Sequence, residues 1–146
     1  MDDSTHEQLV RDLLKQHVRL RAAFLKDPRY DMEAYRFVCE AVDFTCRRLD
    51  GCRDISGRQL LDGICDLAVE RFGALAHTVF GHWGVTRTDD FGDIVFTLVE
   101  VGLLGKSERD SKADFHDVFP LDETLDERFR IDPDDLILAP HQETGL

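Results

Sequence analysis

Between Ser56 and Gly102 the chain is punctuated so tightly that its helices can be marked out almost residue by residue. Ser56-Gly57-Arg58-Gln59 has the spacing of a capping box, with Ser at the N-cap and Gln at N3. Leu60, Leu61, Ile64, Leu67, Ala68 and Phe72 follow with a helical period, and Gly73 is placed to end that helix in a left-handed conformation. A short helix is predicted from about Ala74 to Trp83, anchored by Leu75, Val79, Phe80 and Trp83, with Gly84 as its stop. Thr88 is placed to cap a further helix whose Phe91, Ile94, Val95 and Leu98 form one core stripe, ended by Gly102. Leu103-Leu104 and Asp117-Val118-Phe119 read as two short strands around a polar wing, closed by Pro120, which cannot donate to a ladder. Helix, turn, helix, turn, helix and hairpin is the order of a winged helix-turn-helix unit, expected over residues 56–120.

Upstream of this unit two helices are predicted. Leu9, Val10, Leu13, Leu14, Val18, Phe24 and Leu25 keep helical spacing from about Thr5 to Leu25, while Arg11, Lys15 and Arg19 step by four along a solvated face. Pro28 disfavours helical geometry at Asp27, and Asp31 can cap a second helix from about Met32 to Leu49 with Ala34, Phe37, Val38, Ala41 and Val42 facing inward. Joined by a short loop, the two are expected to pack antiparallel over residues 1–50. The fold class expected is therefore mainly α: a helical pair packed on a winged-helix-like unit with a short β-hairpin wing. It forms a single domain over 1–132, and residues 133–146 form an acidic, flexible tail.

The charge pattern decides against the commonest use of that shape. DNA binding needs Lys and Arg to displace phosphate counterions, with side chains of the third helix reaching base edges. No Lys or Arg occurs from Thr88 to Gly105; Asp89, Asp90, Asp93 and Glu100 stand there instead. The whole chain carries −12, and residues 107–146 alone hold four Lys and Arg against twelve Asp and Glu. Such a balance opposes contact with nucleic acid or anionic lipid. There is no apolar run of membrane-spanning length and no basic, apolar leader at Met1-Asp2-Asp3-Ser4, so a cytoplasmic protein with reduced cysteines is expected.

Catalytic and metal motifs are missing. No Cys-x-x-Cys, His-Glu-x-x-His, nucleophile elbow or phosphate-binding glycine loop occurs. Cys46 and Cys52 are spaced too widely for a structural zinc pair, and Cys39, Cys46 and Cys65 read as small buried hydrophobes. No cofactor, metal or catalytic residue is assigned.

Several segments resemble a family of uncharacterised proteins of Planctomycetes, Verrucomicrobia and related bacteria. They are Ala34-Tyr35-Arg36-Phe37-Val38-Cys39-Glu40-Ala41, Ser56-Gly57-Arg58-Gln59-Leu60-Leu61, Glu70-Arg71-Phe72-Gly73 and His82-Trp83-Gly84-Val85. The closest likeness is Thr88-Asp89-Asp90-Phe91-Gly92-Asp93-Ile94-Val95-Phe96, continued by Gly102-Leu103-Leu104. The resemblance spans roughly residues 30 to 125 and implies no activity.

The functional expectation is a non-enzymatic interaction module. It binds a protein partner with a basic surface, or itself, through Asp89, Asp90, Asp93, Phe96 and Glu100. One alternative is a transcriptional regulator contacting DNA through Arg11, Lys15, Arg19, Arg87 and Lys106. Another is an enzyme using His77, His82 or a cysteine.

Overall fold

Asp31 and Ser56 each start a helix with their own side chains. The Asp31 carboxylate accepts from the Glu33 N–H, and Ser56 and Gln59 exchange both bonds of the capping box. The structure is a computed structural model and describes residues 2–49, 55–105 and 112–130. Along these lie six α-helices: α1 (Asp2–Lys26), α2 (Met32–Arg48), α3 (Gly57–Phe72), α4 (Ala76–His82), α5 (Thr88–Glu100) and α6 (Leu121–Phe129). Single 3-10 turns, Gly73–Leu75 and Lys112–Phe115, precede α4 and α6. No described helix is long and apolar enough to cross a membrane.

The core is helix on helix. α2 lays Ala34, Phe37, Val38 and Ala41 against Leu60, Ile64 and Leu67 of α3, while α5 contributes Phe91, Ile94, Val95 and Leu98. Phe37, Phe72, Phe80, Phe91 and Trp83 form an aromatic chain through its centre, with ring centroids 5.2–5.9 Å apart. α6 docks through Leu121 and Leu125, and Arg128 bonds Asp62 and Asp66 of α3 at 2.7 and 2.8 Å. Leu75, expected as an anchor of α4, is instead exposed on the turn before it.

No strand occurs among the described residues, so the predicted β-hairpin wing, and with it the winged-helix assignment, is overturned. The chain remains mainly α. Backbone hydrogen bonding gives the reason. Gly102, at φ 84°, reverses the chain at the end of α5, and the N–H groups of Leu103 and Leu104 both turn back to the Leu98 carbonyl. Leu103-Leu104 thus closes a helix. On the other side, the Asp117 N–H donates to the Asp89 carboxylate at 2.9 Å and the Val118 N–H to the Thr88 hydroxyl at 3.1 Å. Side chains of α5 take the donors that a strand would have used. Thr88, expected to cap α5, serves this contact instead. Residues 106–111, with Lys106, and the tail over 133–146 lie outside the described residues.

At the other end α1 and α2 meet as expected, but along little of α1. α1 and α2 are joined by a short loop, but α1 reaches the core only through its last two turns, where Leu20, Ala23 and Phe24 pack. Every residue from Ser4 to Arg19 is exposed. α2 packs chiefly on α3, and among the described residues nothing covers α1 from Ser4 to Arg19.

Candidate functional site

The acidic helix face meets the short α1–α2 loop. Lys26 to Asp31 crosses the outer side of α5, and Tyr30, itself buried, points its hydroxyl at two carboxylates: Asp90 at 2.8 Å and Asp93 at 3.0 Å. The second oxygen of Asp90 accepts from the N–H groups of Thr86 and Arg87 at 2.8 and 3.1 Å, fixing the entry to α5. Asp93 also faces Arg29 at 3.3 Å and Lys112 at 3.6 Å, and Arg29 makes a two-pronged bond to Asp27 at 2.8 and 2.7 Å. The α1–α2 loop covers Asp93 and leaves its side chain 26% exposed.

The electrostatics follow from these contacts. Burial, reinforced by the bond to Asp90, pushes the Tyr30 hydroxyl far above its ordinary range, so it stays protonated and donates. Arg29's hydrogen bonds hold the Asp27 carboxyl below its usual value. Beside the cluster lies a groove of about 320 Å³. Asp27, Arg29, Asp93 and Lys112 line its charged side, and Phe96, Thr97, Val99 and Glu100 the other. Glu100 is exposed, with Lys26 3.9 Å away, while Phe96 packs half-buried on the core. The groove is therefore rimmed by charges that already face opposite charges.

Asp89 sits apart from this cluster, at the first turn of α5. His116 approaches it with Nδ1 at 2.6 Å from the carboxylate. A carboxylate can only accept, which puts the proton on Nδ1 and leaves Nε2 to solvent. The Asp117 N–H and His116 together depress the Asp89 carboxyl below its ordinary range. The geometry is that of an oriented imidazole, but His116 is 70% exposed and does not line the groove.

Among the residues named from the sequence, the structure brings Asp90, Asp93, Phe96 and Glu100 to one face and sets Asp89 on the neighbouring one. Arg11, Lys15 and Arg19 share the exposed arm of α1; Arg19 bonds the Gly102 carbonyl at 3.0 Å and so pins the arm's root to the end of α5. Arg87 is exposed. His77 and His82 are exposed, and burial raises the thiols of Cys39 and Cys65 to about 11 and about 12, far from a reactive thiolate at neutral pH. No group of three or more His, Cys, Asp or Glu among the described residues could hold a metal ion. Tyr30, Arg29, Lys112 and His116 were missed from the sequence, since each meets α5 across at least 18 intervening residues. The Pro28 turn was the one available signal for the first two.

Most of the exposed large hydrophobics among the described residues lie elsewhere. Leu9, Leu13, Leu14, Val18 and Leu25 of α1 are each more than half exposed, with Val10 beside them. Leu9 and Leu13 prolong toward the N-terminus the line on which Leu20 and Phe24 meet the body. Val10, Leu14, Val18 and Leu25 form a separate face about 100° around the helix from that line, away from the body. Searches against protein-family models, curated proteins and solved structures find no match to this chain.

Proposed function

We propose that this chain is a non-enzymatic interaction module of the cytoplasm whose docking element is the arm of α1, residues 4–19. The observation that carries the reading is the uncovered apolar face on that arm. Monomeric proteins rarely expose a contiguous apolar patch beyond a few hundred Å² without using it to bind. A helix with few tertiary contacts is also marginal in water, so the arm gains most from a partner that covers it. The acidic face of α5 supports a different role: its carboxylates are engaged by Tyr30, Arg29, Lys112, His116 and backbone N–H groups. We read them as the clasp that fixes the loop and the Lys112–Val118 segment on α5, with Phe96 and Glu100 at the rim of the adjoining groove.

A regulator contacting DNA through α1 is the second reading. The exposure of Arg11 and Lys15 favours it. The two readings separate in a pull-down with tagged full-length chain, with and without nuclease. The interaction module retains a nuclease-resistant protein that is lost with Leu14→Glu/Val18→Glu. The regulator loses its catch with nuclease and with Arg11→Ala/Lys15→Ala. Retention unaffected by either pair of substitutions refutes the placement on α1.

A further inference from the structure

We infer that the partner of the α1 arm is a second copy of this chain, paired antiparallel through α1. The inference rests on the reading of the arm as a docking element and names its occupant from the distribution of charge. From Asp2 to Asp12 the helix carries Asp2, Asp3, Glu7 and Asp12 against Arg11 alone. From Leu13 to Lys26 it carries Lys15, Arg19, Arg21 and Lys26 and no carboxylate. A parallel pair sets like charge beside like charge along its whole length. An antiparallel pair sets the acidic half of each helix beside the basic half of the other, which is the self-complementary arrangement a two-fold dimer requires.

The apolar residues have the same symmetry. A pair crossing at Leu14 sets Leu14 beside its own copy and brings Val10 to the level of the second copy's Val18, all within about 40° of one helix face. Glu7 then stands at the level of the second copy's Arg21, on the same face. Both bodies are attached beyond Arg19, so each lies at an opposite end of the pair and the shared stretch is free of them. The surface is small. Val10, Leu14, Val18 and Leu25, exposing on the order of 100 Å² each, give about 400 Å² per copy and about 800 Å² in the pair, the size of a weak, transient interface. That size predicts a weak, reversible dimer, weakened further by salt.

Sedimentation velocity of the full chain from about one to several hundred micromolar tests this. Wild type is expected to pass from monomer to dimer, and Leu14→Glu/Val18→Glu to stay monomeric at every concentration. Two charge variants keep the test independent of the apolar seam. Glu7→Lys, and separately Arg21→Glu, should each stay monomeric, and an equimolar mixture of the two should form a heterodimer. A wild type monomeric over the whole range, or a dimer indifferent to the α1 substitutions, overturns the inference. The reading of the arm as a docking element survives a monomeric wild type if the Leu14/Val18 variant still loses a nuclease-resistant partner. It fails with the inference only if that loss is absent too.

Discussion

Thr45 and Gly63 meet where α2 packs on α3, and they show how closely the core is drawn. A Cβ built on Gly63 would collide with the Thr45 hydroxyl and stand 3.1 Å from its Cβ, a tight approach that rotating the threonine does not relieve. Gly63→Ala should therefore lower stability by about 1–3 kcal/mol in urea unfolding, despite alanine's better helix propensity. The same hydroxyl is buried with no hydrogen-bond partner. Thr45→Val keeps the shape and removes the orphan, and should raise stability by about 1 kcal/mol; a loss of that size would mean the hydroxyl is satisfied after all. Tyr30→Phe is the opposite case. It takes a buried donor from Asp90 and Asp93 and should lower the unfolding free energy by about 1.5–3 kcal/mol. At this scale the sequence was legible wherever chemistry is local. Ser56 with Gln59 and Asp31 with Glu33 cap as their spacing predicts, because cap and helix are neighbours in the chain. The Tyr30–Asp90–Asp93 contact was not, because residues 60 apart leave no mark on each other's local pattern.

The segment Lys112–Phe119 is held on α5 by polar contacts at its exit and by Phe115, which is buried beneath Gly92. Its stability should depend on pH through Asp89. The carboxyl's folded-state pKa lies below its ordinary 3.8, so the contact contributes fully above that value and is lost as the pH falls through the depressed one. Hydrogen exchange should show the Asp117 and Val118 amides protected at pH 6 and open in Asp89→Ala. The acid limb of a urea-stability profile between pH 5 and 2 should be shallower in that variant. An unchanged limb would show that Asp89 does not fasten the segment. This element also explains the failed wing. Short apolar runs flanking a polar loop are compatible with strands, and whether their N–H groups pair with each other or with a helix is decided by what lies nearby. Here Thr88 and Asp89 lie nearby, so the two runs end as a helix cap and an anchored turn.

At the scale of the whole molecule the decisive asymmetry is between a body with a continuous core and a 25-residue helix, about 37 Å long, that joins the core only at its end. Periodicity identified the apolar residues of α1 correctly but could not say what covers them. The same pattern suits a core helix and an intermolecular one, and the body uses Leu20, Ala23 and Phe24 alone. A chain that dimerises through this arm should have a thermal midpoint that rises with protein concentration, with Leu14→Glu/Val18→Glu insensitive to it. The most direct measurement is hydrogen exchange of residues 4–19 at about one and about one hundred micromolar. The account predicts fast exchange in the dilute sample and protection that grows with concentration, confined to the arm while the amides of α2, α3 and α5 stay constant. Exchange along the arm that is identical at both concentrations would contradict it.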